Sequence, residues 1–203
     1  MRHVPFVQTG GLITLIGGSI WVFAVEMRTL ALAIVLCWVG VATVYSYATP
    51  HPRRMTAKVG FGVTSFGVLS WLGAWFGAHN DVILATHHRL SESGHVIDVI
   101  NYTVGYLAQR YLASSAYLVF GIGLLLVAPR TSGHQWNVLL RVLGYLSLSL
   151  YTSLAWEVYL DAVTSPFIYT TLRFLFAVAW LALGYRLWAG APQLPTKAYR
   201  QLS

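Results

Sequence analysis

The sequence predicts an all-α, polytopic membrane protein: a bundle of six transmembrane helices, with an interfacial helix in its third, outer loop. Three observations predict it. Of 203 residues, 57% are hydrophobic and only 9% charged, whereas a soluble domain carries roughly a quarter charged residues. Six runs are long and apolar enough to cross a hydrocarbon core of ~30 Å, which takes about 20 residues of helix. The basic residues also sort to one side of those runs.

The runs cover roughly residues 9–27, 29–49, 58–78, 111–129, 137–162 and 166–189. Met1-Arg2-His3 before the first run resembles the start of a signal peptide, but no Ala-x-Ala site follows, so a retained first helix is expected. Glu26-Met27-Arg28-Thr29 leaves almost no connection between the first two runs, which predicts a tight antiparallel hairpin. Thr49-Pro50-His51-Pro52 ends the second, because two prolines remove donors and disfavour helix before them. Ala128-Pro129 and Ser165-Pro166 mark further boundaries. Residues 79–95 are too polar to cross lipid. From Gly94 to Val127 the chain reads as one helical run, too long for one crossing, and residues 95–110 are expected along the interface, with Asp98, Asn101, Gln109 and Arg110 on a polar face. Residues 1–190 then form one membrane domain and 191–203 a tail. A three-plus-three comparison of the halves reveals no internal repeat.

With six spans, Arg2, Arg53, Arg54, Lys58, Arg130, Arg141, Arg186, Lys197 and Arg200 fall on one side. Arg28, Arg89 and Arg110 fall on the other. The positive-inside rule places both termini in the cytoplasm, and the expected location is an inner or plasma membrane. All six acids (Glu26, Asp81, Glu92, Asp98, Glu157, Asp161) lie on or near the outer side. The net charge of +7 is dispersed, which excludes the clustered stripe a nucleic-acid face needs. The expected partners are the lipid bilayer and either other membrane subunits or further copies of the chain. Cys37 is single, so it excludes an internal disulfide.

Charge inside a span is costly and asks for a reason. Glu157 lies about seven residues before the turn Val163-Thr164-Ser165 and Arg173 about eight after it, so both sit roughly 10–12 Å below the turn and can meet. Asp161, Ser153, Ser149 and Tyr145 recur at i, i+4 spacing with Glu157, which predicts a polar stripe facing the bundle interior, with Trp156 beside it. A structural ion pair and an outward-opening ligand or proton site both fit this pattern. In the outer loop, His88, Glu92 and His95 at i, i+4 and i+7 have the spacing of a divalent-metal site. No cofactor is required by the sequence.

Ala155-Trp156-Glu157, followed by Arg173 and Trp180-Leu181, resembles the Ala-Trp-Glu region of small integral membrane terpene cyclases. The resemblance implies that Glu157 is a general acid acting on an alkene or epoxide. It covers about 30 residues, and Gly184 stands where that family's second acid is expected. The expected function is a carrier or ligand-binding membrane subunit for a small molecule. The alternatives are a membrane-embedded enzyme using Glu157 as acid and a non-catalytic subunit of a larger complex.

Overall fold

The computed structural model describes the backbone of residues 4–24, 27–49, 55–78, 96–131, 134–160 and 166–190; the side chains at 4, 27–28, 75–78, 96–110, 156–160 and 166 lie outside the description. Among the described residues there are six α-helices, one short 3-10 turn and no strand. They are α1 (Val4–Phe23), α2 (Met27–Ala48), α3 (Met55–Ala78), α4 (Val96–Val127), α5 (His134–Leu160) and α6 (Pro166–Gly190).

Prolines set several of the boundaries. Pro5 and Pro166 occupy first turns, where a missing N–H costs nothing. Helix α2 stops at Ala48, just before the Thr49-Pro50 break. Pro129 tightens the end of α4 into the 3-10 turn Ala128–Arg130. Helix α1 begins five residues earlier than the apolar run at Thr9, its first turn being Val4-Pro5-Phe6-Val7. Helix α4 runs unbroken through position 110 for 32 residues, a length of about 48 Å.

Five of the helices contain segments long and apolar enough to cross a membrane: Pro5–Phe23, Thr29–Ala48, Tyr111–Arg130, His134–Ala155 and Phe167–Gly190. Helix α3, with 24 residues, matches them in length. The outer surface confirms the solvent. Phe23 (81%), Met55 (80%) and Phe167 (77%) stand exposed among many other large apolar side chains. Water does not tolerate so continuous an apolar surface; lipid does.

The helices form a ring in chain order. Helix α1 packs extensively against α2 and α6, and α4 against α3 and α5; the α2–α3 and α5–α6 contacts are thinner. Two three-helix bodies result, one of α1, α2 and α6, the other of α3, α4 and α5.

Within these bodies one packing motif occurs twice. Gly10, Thr14, Gly17, Trp21 and Ala24 of the α1 segment reappear as Gly60, Thr64, Gly67, Trp71 and Ala74 on α3, each number raised by 50. The motif glycines face equivalent neighbours. Gly10 abuts Thr43 and Gly17 abuts Cys37 on α2; Gly60 abuts Leu126 and Gly67 abuts Phe120 on α4. In return Gly40 of α2 abuts Thr14, and Gly123 of α4 abuts Thr64. Raising each α2 number by 83 gives its α4 counterpart. The threonines even make the same bond: Thr14 Oγ1 donates to the Gly10 carbonyl at 2.7 Å, and Thr64 Oγ1 to that of Gly60 at 2.8 Å. Small residues at such crossings let helix backbones touch, which drives helix association in lipid. The reading that the chain has no internal repeat is therefore corrected. The repeat is hairpin against hairpin, not half against half.

Candidate functional site

At the centre, six aromatic rings from four helices form one cluster: Trp21 of α1, Trp71 of α3, Tyr117 and Phe120 of α4, and Phe176 and Trp180 of α6. All six are almost wholly buried. The rings meet mostly edge to face. Trp21 lies 6.2 Å from Trp71 at 75° and 5.3 Å from Phe176 at 68°; Trp71 lies 4.9 Å from Tyr117 at 89°. Such geometry sets a positive ring edge on a negative ring face. The cluster bridges the two bodies, through Trp21–Trp71, Trp21–Tyr117, Tyr117–Phe176 and Phe120–Trp180.

The indole N–H groups of Trp21, Trp71 and Trp180 are buried without a hydrogen-bond acceptor among the described residues. The hydroxyl of Tyr117 has that of Tyr169 as its polar neighbour and lies within electrostatic reach of Arg173. Ser147 Oγ of α5 donates to the Tyr117 carbonyl at 2.7 Å, tying α5 to α4. The interior is thus rich in donors and aromatic faces.

Arg173 sits on the inward face of α6, one turn before Phe176, and is half-buried. It is the only basic side chain among the described residues that is not exposed; Lys58, Arg130, Arg141 and Arg186 all are. Its Nη2 donates to the Trp21 carbonyl at 3.4 Å. That carbonyl lies in the last turn of α1, where carbonyls lack intrahelical donors and the helix dipole is negative. Sequence reasoning assigned Arg173 to Glu157 alone, because a backbone acceptor leaves no trace in a sequence.

The expected inward stripe on α5 requires correction. Ser153 is buried, but Ser149 is exposed and Tyr145 is 60% exposed, pointing away from the bundle. Residues four apart differ by about 40° in azimuth on an α-helix, so a row at i, i+4 winds around it. From Tyr145 to Ser153 the row turns by about 80°, which takes it from the outer face to the inner one. Ser149 Oγ is satisfied by its own helix, donating to the Tyr145 carbonyl at 3.0 Å. The inward face of α5 is instead Leu140, Leu143, Gly144, Ser147, Leu150 and Ser153.

The side chains of Trp156 and Glu157 lie outside the described residues, as do Asp161, His88, Glu92 and His95. Among the described residues no three His, Cys, Asp or Glu side chains gather as a metal site. Sequence reasoning missed the paired tryptophans and Tyr117. The repeated Gly-x3-Thr-x2-Gly-x3-Trp pattern was the signal that marks them. Comparison with known protein families, characterised proteins and solved structures gives no match.

Proposed function

We propose that this chain is a six-span protein of an inner or plasma membrane that binds a small molecule in the outer half of the bilayer, as a carrier or as the ligand-binding subunit of one. Helix α3 is then the sixth span, both termini are cytoplasmic, residues 96–110 continue α4 at the outer surface, and 191–203 form a tail. The distribution of basic residues supports this orientation.

One observation carries the functional reading. Arg173 is an intramembrane cation directed inward at the edge of a donor-rich aromatic interior, and among the described residues a single backbone carbonyl at 3.4 Å engages it. Intramembrane ionisable residues mark ligand and ion pathways because their burial is so costly. Guanidinium offers five donors in a fixed fork, so it suits a ligand carrying carbonyl or carboxylate oxygen. By helical periodicity, position 157 lies seven residues beyond Leu150 and shares its side of α5. On their sequence spacing, Glu157, Asp161 and Trp156 are proposed, together with the buried Ser153, as the rest of the ligand-binding set. Tyr145 and Ser149 do not belong to it.

A second reading has its own observation. The Arg173–Trp21 bond joins α6 to the end of α1, which is what a structural clamp would do. The variants Glu157→Gln, Arg173→Met and their combination separate the two. Ligand binding predicts that a molecule co-purifying with the wild type, identified by mass spectrometry, is lost from all three, while the double variant stays folded. A clamp onto the Trp21 carbonyl predicts that Arg173→Met loses stability, alone or combined with Glu157→Gln, while every variant keeps the same co-purifying profile; that result overturns the proposal.

A further inference from the structure

The reading of a small-molecule site leaves open what kind of molecule the interior accepts, and the aromatic cluster supplies chemistry for an answer. Its three indole N–H groups lack acceptors among the described residues, although Trp21, Trp71 and Trp180 are 0%, 2% and 0% exposed. Buried polar groups without partners are rare in proteins, and each calls for an explanation such as a bound molecule. Here three fall within one set of touching rings. Trp21 and Trp71 also hold equivalent positions in the two repeated hairpins, each four residues past the second motif glycine.

The cluster lies where the molecule is least tightly joined. Each three-helix body is held by extensive contacts, whereas the bodies meet along the thinner α2–α3 and α5–α6 seams and through the rings themselves. An aromatic face is at best a weak acceptor for an indole N–H. A carbonyl oxygen is a stronger one. Separating the bodies slightly would exchange ring–ring contacts for ring–ligand contacts without disturbing the glycine crossings inside either body.

We propose that the seam between the two bodies, opened slightly, binds a lipid-soluble quinone, its ring packed among Trp21, Trp71, Tyr117 and Phe176 and its two carbonyls accepting from the orphaned indole N–H groups. Three observations select this class, and the proposal rests on the small-molecule reading above. The orphaned groups are neutral single donors, which suit neutral acceptors. They belong to both bodies, Trp21 and Trp180 to one and Trp71 to the other, which suits acceptors on opposite edges of one ring. The surrounding faces are aromatic, which suits a flat, electron-poor ring.

The test uses the full-length protein in lipid nanodiscs with decylubiquinone as probe and decylbenzene, which lacks carbonyls, as control. Thermal unfolding should show a saturable rise in Tm with decylubiquinone and none with decylbenzene. Trp21→Phe combined with Trp71→Phe keeps both rings and removes both donors; its apparent affinity should fall at least tenfold. If that double variant does not fold, Trp21→Phe and Trp180→Phe singly should each weaken binding severalfold. Absence of a saturable shift in the wild type, an equal shift with decylbenzene, or unchanged affinity in the variants overturns the proposal. Wild-type protein that ignores decylubiquinone yet releases a native ligand dependent on Arg173 overturns this inference alone and leaves the small-molecule site standing.

Discussion

The α1–α2 and α3–α4 hairpins share a packing motif but differ one residue away from it. Where α1 has Gly11 and Gly18, α3 has Phe61 and Val68 at the equivalent positions. Gly11 lies against the backbone of Gly184 and Trp188, and Gly18 against Leu181, so α6 docks on α1 almost backbone to backbone. Phe61 instead stacks on Tyr45 at 4.5 Å and on Trp38 at 5.6 Å, holding α2 and α3 apart by the thickness of aromatic rings. The motif face closes each hairpin upon itself, and the adjacent face decides what docks next and how closely. In lipid, where apolar surface brings no hydrophobic gain between helices, that choice of side-chain size governs assembly.

The most damaging exchange is therefore Gly11→Phe, which gives α1 the residue α3 carries. Even a β-carbon at Gly11 would lie 2.5 Å from the Trp188 nitrogen and 2.8 Å from the Gly184 carbonyl oxygen, and backbone atoms cannot step aside. Overpacking of this kind costs about 3 kcal/mol or more, so α6 should detach, measured as a collapse in the yield of monodisperse protein. The same exchange at Gly62, which has open space, should be tolerated. Normal yield of the Gly11 variant would mean that α6 does not dock there.

Gly17→Ala and Gly67→Ala ask whether the two hairpins are energetically as well as geometrically alike. The added β-carbon meets the Cys37 nitrogen at 2.9 Å in one and the Phe120 nitrogen at 2.8 Å in the other. Each should lose about 1–3 kcal/mol in reversible denaturation in detergent, and the two losses should agree within about 1 kcal/mol. A loss confined to one hairpin would show that the equivalence is of shape only.

These residues also show what the sequence made legible. The membrane, the helices and the inward position of Arg173 followed from apolar runs and one stray charge, because the bilayer imposes length and polarity directly. The motif Gly10, Thr14, Gly17, Trp21 is equally visible in the sequence, but it relates hairpin to hairpin and is invisible to a comparison of the two halves. The α5 stripe failed for a geometric reason: i, i+4 neighbours touch, yet a row of them winds, so Tyr145 and Ser153 share a row but not a face. The Arg173–Trp21 bond was beyond reach, since which backbone carbonyl a long side chain finds depends on how α1 and α6 pack.

The smallest expected effect concerns the motif threonines, whose hydroxyls look essential and should not be. Thr14 and Thr64 each donate to a carbonyl four residues back that already accepts the helical bond, so removing the hydroxyl strands no buried acceptor. Their β-branched shape is what fills the space over Gly40 and Gly123. Thr14→Val and Thr64→Val should therefore change stability by no more than about 0.5 kcal/mol. Thr14→Ser and Thr64→Ser keep the hydroxyl but remove a buried methyl group, and should cost about 1 kcal/mol each. If valine proves worse than serine at either site, the hydroxyl rather than the shape holds that crossing, and the two hairpins then share a sequence pattern without sharing its physical basis.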